Sequence, residues 1–190
     1  KIVIYGDYDV DGVTATALLV RVLRSLGAEI AFFLPNRMDE GYGLTADGLD
    51  RCLSEHSPKL LIAVDCGTSS RNEIAGVKQR GVDVIVLDHH TPPAGGLPDC
   101  PVVNPKRLSE NPPWKDLCSA GLAFKFAHAL LKSNHSTTPS LHNSDFLRSH
   151  LDLVALGTIA DIVPLTGENR ILARAGLAQI GLTDKIGLKK

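Results

Sequence analysis

The sequence predicts an α/β domain with a mainly parallel central sheet, helices on both faces of the sheet, and a site at the carboxyl ends of the strands. In the first ninety residues, four short apolar runs alternate with longer stretches of helical periodicity. That alternation is typical of β-α-β units, whose strands run parallel. The chain has 190 residues, of which 44% are hydrophobic and 22% charged, so it can bury a full core.

The elements follow one another in a regular order. We predict strands over residues 2–5, 29–34, 60–64 and 82–87, with a short strand-like piece at 101–104. We predict helices over 13–25, from a cap at Thr45, from a cap at Thr68 or Ser69 to Arg80, and over 119–132, 147–156 and 169–180. A loop rich in Pro and Gly occupies 91–116, and a polar loop occupies 133–144.

Charged or polar residues follow each of the first four strands, in the segments DYDVD, PNR, DCG and DHH. Because the carboxyl ends of parallel strands meet at one edge of a sheet, we expect these residues to converge. Asp7, Asp9 and Asp11 would repel one another unless a cation lay between them. The pattern therefore favours a divalent metal site over a solvated acidic turn.

The segment DYDVDG, residues 7–12, also resembles the start of an EF-hand calcium loop. The twelfth position counted from Asp7 is Leu18, where such a loop needs a bidentate Glu. This excludes calcium-loop chemistry at this position of the chain.

Three further candidates each have an alternative interpretation. Asp161, alone in the apolar stretch GTIADIVPL, is either a metal ligand or a cap of the turn before Pro164. The adjacent His89 and His90 follow an acid at a strand end, which is not typical of core packing. Arg37 is either a phosphate clamp or half of a surface ion pair with a neighbouring acid.

The composition excludes several classes of protein. The net charge of −1 gives no overall electrostatic signal for nucleic-acid binding, and no apolar run is long enough to predict a membrane span. The four cysteines lack CxxC spacing, which favours free thiols in a reducing cytoplasm. Because the first predicted strand begins at Ile2, at the very start of the sequence, we expect the chain to be a fragment.

Four motifs, GDYDVDG, VDCGTS, LDHH and GTIADIVPL, resemble in this order and separation the successive motifs of the DHH phosphoesterase superfamily. Within that superfamily the chain is most similar to the RecJ family of single-strand-specific 5′→3′ exonucleases. The segments PNRMDEGYGL and CSAGLAFK also resemble RecJ signatures. Together the motifs cover essentially the whole chain.

The resemblance implies a phosphodiesterase with two Mn²⁺ or Mg²⁺ ions that activate water for attack on phosphorus. One ion would be held by Asp9 and Asp65 with support from Asp7, and the other by Asp11, Asp65, His89 and Asp161. His90 would contact or protonate the phosphate, and Asp88 would orient a histidine. The implied catalytic residues are thus His90, Asp65 and Asp7, with Arg37 and His90 binding phosphate.

The implied reaction is hydrolysis of single-stranded DNA from the 5′ end to mononucleotides in DNA repair and recombination. A helicase and a single-strand-binding protein could be partners, in the cytoplasm. We expect residues 1–190 to be the DHH catalytic domain, without the glycine-rich C-terminal substrate-binding domain of the family.

Other functions stay open at this point. Enzymes of the same superfamily hydrolyse small oligonucleotides, cyclic dinucleotides or pyrophosphate, but Tyr5 stands where the pyrophosphatase branch has a liganding His. A binding or scaffold module with a decayed site is the non-enzymatic alternative. Retention of every implied ligand position argues against it.

Overall fold

The computed structural model describes residues 1–36, 41, 43–107, 112–133 and 144–189. Arg37 and residues 134–143 of the predicted polar loop lie outside the described residues. None of the helices in the described part of the chain combines the length and the apolar character that crossing a bilayer requires.

A five-stranded sheet forms the centre of the fold, and all of its pairings are parallel, in the order β2-β1-β3-β4-β5. The strands are β1 (Ile2–Gly6), β2 (Ile30–Phe33), β3 (Leu60–Val64), β4 (Asp83–Leu87) and β5 (Val102–Val103). The predicted fold class is confirmed. One helix connects each strand to the next in the chain from β1 to β4, because parallel strands need a long crossover connection.

Eight α-helices lie in the described residues. They are α1 (Val10–Ser25), α2 (Ala46–His56), α3 (Arg71–Gln79), α4 (Ser119–Ser133), α5 (Ser144–Arg148), α6 (Leu151–Ala160), α7 (Gly167–Ile180) and α8 (Ile186–Lys189). A short 3₁₀ helix, Pro105–Arg107, follows β5.

The central strands β1 and β3 are buried on both faces, and alternate residues of these strands point into two different cores. Ile4 and Ile62 belong to the core on the side of α1, α4 and α6. Val3 and Leu61 belong to the core on the side of α2 and α3. The strands are therefore apolar along their length, and polar side chains are confined to their ends.

The first helix begins three residues earlier than predicted. Asp9 is its N-cap residue, and the Asp9 carboxylate accepts a hydrogen bond of 2.9 Å from the Gly12 N–H. Asp11 therefore lies in the first turn of α1 and not in a loop before it.

Two other predictions about helix ends are wrong and one is confirmed. The helix predicted over 147–156 is divided into α5 and α6, and α6 continues to Ala160, so that Asp161 follows directly on its last turn. Neither Thr68 nor Ser69 caps α3, which begins at Arg71 after Ser70. Thr45 caps α2 as predicted by accepting a 3.2 Å hydrogen bond from the Gly48 N–H.

Close packing of α6 depends on glycine. A Cβ atom at Gly157 would lie 2.6 Å from the Ala120 Cβ and 2.7 Å from the Asp11 Oδ1. Gly176 of α7 faces the other half of α6, where a Cβ would overlap the Leu151 carbonyl. These glycines let α6 approach α1, α4 and α7 closely enough to bring its carboxyl end to the edge of the sheet.

Candidate metal centre

The carboxyl ends of three neighbouring strands bring three acidic side chains to one edge of the sheet. Asp7 follows β1, Asp65 follows β3 and Asp88 follows β4, and these strands are hydrogen-bonded neighbours. All three side chains are buried. Their convergence is the arrangement that the sequence predicted from the parallel sheet.

Asp11 is held at the amino end of α4. Its Oδ2 accepts a 2.6 Å hydrogen bond from the Ser119 N–H, and its Oδ1 accepts a 2.8 Å bond from the Ala120 N–H. Backbone N–H groups at a helix amino end have no partner within the helix and favour negative charge. The sequence analysis did not anticipate this contact, which joins segments far apart in the chain.

Asp65 has a left-handed backbone conformation, with φ of 64°. Asp adopts this region more readily than most residues. The Asp65 Oδ1 accepts a 2.9 Å hydrogen bond from the Ser119 hydroxyl. Burial, together with the nearby charges of Asp11 and Asp9, raises the pKa of Asp65 to about 10.

Several buried polar atoms at this edge have no hydrogen-bond partner among the described residues. They are both carboxylate oxygens of Asp7, the Oδ2 of Asp65 and both ring nitrogens of His89. Burial raises the pKa of Asp7. Because buried polar groups are nearly always satisfied, this set of unpaired oxygen and nitrogen atoms fits ligands of a cation.

His89 lies at the centre of the carboxylates. Its Nε2 is 3.4 Å from Asp65 Oδ1, 3.6 Å from Asp161 Oδ2 and 3.8 Å from Asp11 Oδ2. Burial lowers the pKa of His89 more than the carboxylates of Asp161 and Asp11 raise it. The neutral imidazole is the form that binds metals.

The ligand atoms form three compact groups, in each of which one atom per residue lies within 4.8 Å of the others. The groups are Asp7, Asp9 and Asp65; Asp11, His89 and Asp161; and Asp65, His89 and His90. Carboxylate oxygens with one or two imidazole nitrogens suit Mn²⁺, and carboxylates suit Mg²⁺. The residues of this edge therefore fit divalent ions.

Asp88 binds a histidine and a backbone amide at the same time. Its Oδ1 lies 2.7 Å from the His90 Nδ1, and its Oδ2 accepts a 2.9 Å hydrogen bond from the Thr68 N–H. Burial alone would raise the pKa of Asp88, but the hydrogen bonds from His90 and Thr68 outweigh burial and hold this pKa well below its usual range. In turn, the hydrogen bond to Asp88 raises the pKa of His90 to about 9.

Asn104 links the segments that carry Thr68 and His90. Its amide nitrogen donates to the Thr68 hydroxyl at 3.0 Å and to the His90 carbonyl oxygen at 2.8 Å. Sequence reasoning missed Thr68, Asn104 and Ser119. Asn104 directly follows the observed strand β5, whereas the predicted strand-like piece included it, so the rule that identified the other positions did not reach it.

Of the nine residues predicted for the site, the structure places eight at this edge, and Arg37 lies outside the described residues. Asp161 occupies the C-cap position of α6, and its Oδ2 lies 3.6 Å from the His89 Nε2.

Similar sequences and the same fold occur in known proteins. Residues 1–158 match the family described as "DHH family, N-terminal domain". The chain belongs to the DHH family. The chain is 42% identical, over its whole length, to the single-stranded-DNA-specific exonuclease RecJ of Bacillus subtilis (strain 168), of which it covers 22%.

Solved RecJ structures share the fold of this chain. The crystal structure of exonuclease RecJ bound to manganese superposes with a TM-score of 0.85 at 39% identity, over 99% of this chain and 46% of that chain. The crystal structure of Thermus thermophilus RecJ in complex with Mg²⁺ gives a TM-score of 0.61 at 33% identity, over 99% of this chain and 22% of that chain. The chain spans between 22% and 32% of the length of the curated RecJ relatives that it matches.

Proposed function

We propose that this DHH domain is the catalytic part of a single-strand-specific exonuclease that hydrolyses DNA from the 5′ end to mononucleotides. The observation that carries the proposal is the pair of ligand groups, Asp7/Asp9/Asp65 and Asp11/His89/Asp161, gathered at one edge of the sheet. The similarity to RecJ exonucleases over the whole chain supports the choice of substrate. Mn²⁺ and Mg²⁺ are the proposed ions, since RecJ structures with each of them share this fold.

We assign the first ion to Asp9 and Asp65 with support from Asp7, and the second to Asp11, Asp65, His89 and Asp161. When bound, two such ions activate water and stabilise the leaving oxygen of a phosphodiester. Asp65 is the proposed bridge, because it is 3.4 Å from His89 of the second group and also belongs to the first group. Its hydrogen bond from Ser119 fixes the direction of the carboxylate.

His90 is the proposed contact to the phosphate. Its side chain is 43% exposed, so a substrate can reach the ring, while the bond from Nδ1 to Asp88 fixes the ring orientation. Asp88 is thus a positioning residue. We propose that Arg37, in the sequence segment PNR, also binds phosphate through its planar guanidinium group.

The biological setting is likewise a proposal. We infer a role in DNA repair and recombination, with single-stranded DNA as substrate and with a helicase and a single-strand-binding protein as partners. The four cysteines are free thiols, which agrees with a reducing cytoplasm. We propose that residues 1–190 form one catalytic domain.

The test is release of mononucleotides from single-stranded and duplex DNA of the same sequence, with Mn²⁺ and with a chelator. The Asp65→Ala variant is compared with Asp83→Ala, which removes an exposed acid from the opposite end of the neighbouring strand. We expect metal-dependent release from the single strand, abolished in Asp65→Ala and retained in Asp83→Ala. Equal release from the duplex, or activity in Asp65→Ala, would contradict the proposal.

A second readout separates substrate choice from chemistry. If Mn²⁺ binds to the wild-type chain but DNA is not hydrolysed, a dinucleotide and a pyrophosphate substrate are tested under the same conditions. Hydrolysis of either would move the assignment to the small-substrate enzymes of the superfamily.

A further inference from the structure

An apolar pocket of about 320 Å³ lies at the β5 edge of the sheet. Val103 at the end of β5, Asn104, Arg107, Trp114 and Leu122 of α4 line it. None of these residues is among the proposed metal ligands. The volume lies at the lower end of the range for small-molecule pockets.

Two walls of the pocket are attached to the metal centre. On one side, Asn104 donates a 2.8 Å hydrogen bond to the backbone carbonyl of His90. On the other side, Leu122 lies in the first turn of α4, whose Ser119 and Ala120 N–H groups hold Asp11. The pocket is therefore joined to the metal centre through Asn104 and through the amino end of α4.

The outer wall of the pocket is aromatic and open to solvent. Trp114 is 46% exposed and Val103 is 42% exposed. Trp114 is the single tryptophan of the chain, whose aromatic content is only 5%. A partly exposed tryptophan in an apolar pocket is well suited to stack on a flat aromatic ligand, as in proteins that bind unpaired bases.

The rim of the pocket carries positive charge. The Arg107 guanidinium donates a 2.7 Å hydrogen bond to the Val102 carbonyl, which holds it against the end of the sheet. The exposed side chain of Lys106 precedes it, and the Lys106 backbone N–H donates to the Asn104 side chain at 2.8 Å. The overall charge of the chain is −1, so these cations do not reflect a general excess of positive charge.

We propose that this pocket binds a nucleobase of single-stranded DNA, which stacks on Trp114 while Lys106 and Arg107 contact the adjoining phosphates. The proposal rests on the proposed nuclease function and adds a base-binding subsite to it. A base can enter the pocket only when it is unpaired and unstacked. The subsite therefore gives this domain a physical basis for preferring a single strand over a duplex.

The experiment measures binding of oligothymidylate to the 190-residue chain in the presence of a chelator, so that neither metal nor turnover is needed. The fluorescence of Trp114, the single tryptophan, reports on the pocket directly. We expect saturable quenching by the oligonucleotide, and none by an oligomer of abasic nucleotides of equal length. Absence of saturable quenching, or equal quenching by the abasic oligomer, would overturn the proposal.

Variants test the same point with a labelled oligonucleotide and fluorescence anisotropy. Trp114→Ala is expected to weaken binding by about tenfold, because one base–aromatic stack contributes about that much, whereas Trp114→Phe keeps most of the affinity. Lys106→Ala is expected to reduce the slope of log K against log salt by about 0.7, the value for one phosphate contact on a single strand. Ile186→Ala, an exposed apolar residue of α8 that is 74% exposed, is the matched control and leaves binding unchanged.

The outcomes distinguish this subsite from the nuclease proposal. Wild-type affinity in a folded Trp114→Ala variant would overturn the subsite and leave the nuclease proposal intact. Base-dependent quenching without any metal-dependent hydrolysis would support the subsite and contradict the nuclease proposal.

Discussion

Substitution of Gly157 by alanine tests whether the close approach of α6 to α1 and α4 shapes the metal centre. The added methyl group would meet the Ala120 Cβ at 2.6 Å, and the Asp11 Oδ1 and Thr14 Oγ1 at 2.7 Å. Ordinary van der Waals contact begins at 3.4 Å, so these neighbours must withdraw by about 0.7 Å or more. Asp11, which binds the amino end of α4, is one of them.

Two opposing effects determine how much the Gly157→Ala substitution changes the free energy of unfolding. Overpacking a close-packed interior costs about 1–3 kcal/mol, while alanine stabilises a helix interior over glycine by about 0.5–1 kcal/mol. We expect a net loss of about 1–2 kcal/mol, which lowers Tm by about 2–8 °C in a chain of this size. Metal–ligand distances tolerate only about 0.2 Å, so we expect the affinity for Mn²⁺ to fall by at least about tenfold.

The assay combines thermal unfolding with calorimetric titration of Mn²⁺, and two other helix glycines serve as controls. Gly176→Ala introduces a clash with Leu151 at the far half of α6, so it lowers Tm with a smaller change in Mn²⁺ affinity. Gly76→Ala in α3 has no atom within 4 Å of the new methyl group, so it raises stability by up to about 1 kcal/mol. If Gly157→Ala loses stability as Gly176→Ala does but binds Mn²⁺ like the wild type, the reasoning about Asp11 is refuted.

Three further predictions follow from other contacts. Asp88→Asn removes the anion that binds the His90 ring, so the pKa of His90 falls from about 9 toward its ordinary value of 6.5. NMR titration of the metal-free chain measures this pKa. An unchanged value would mean that Asp88 does not cause the raised pKa of His90. Lys185→Met leaves the fully buried Asp152 carboxylate without its 2.8 Å ion-pair partner. We expect the free energy of unfolding, measured in urea, to fall by about 3–5 kcal/mol. A loss below about 1 kcal/mol would contradict a stabilising role of this ion pair. Mn²⁺ at about one hundred times its Kd is expected to stabilise the wild type by about 2.7 kcal/mol. Thermal unfolding would show this as a rise in Tm of about 5–11 °C, which a chelator reverses. No rise in Tm would argue against a divalent metal site.

The sheet and the location of the site could be predicted because both follow from local patterns. Short apolar runs specify buried parallel strands, and parallel strands place their carboxyl ends together whatever the details of packing. Asp7, Asp65 and Asp88 follow directly on such runs, so their convergence needed no knowledge of the helices.

The contacts that orient these side chains could not be predicted in the same way. Asp11 and Ser119 are separated by 108 positions, and their hydrogen bond exists only because α4 packs with its amino end against α1. The division of residues 144–160 into α5 and α6 also depends on tertiary contacts, since His150 at the junction is buried and accepts a 3.0 Å hydrogen bond from Arg21 of α1. Helical periodicity alone does not register such a break.

The requirement for a cation follows from the rigidity of the sheet. Asp7 and Asp65 end two adjacent, hydrogen-bonded strands, so they cannot move apart to relieve their repulsion. Within the described residues, neither forms an ion pair with a Lys or Arg side chain, and His89 beside them is neutral when buried. Burial, together with the nearby charges of Asp11 and Asp9, raises the pKa of Asp65 to about 10, so without a cation this carboxylate holds a proton. A divalent ion must displace such protons in order to bind. Metal ions and protons therefore compete for the same carboxylates at this edge.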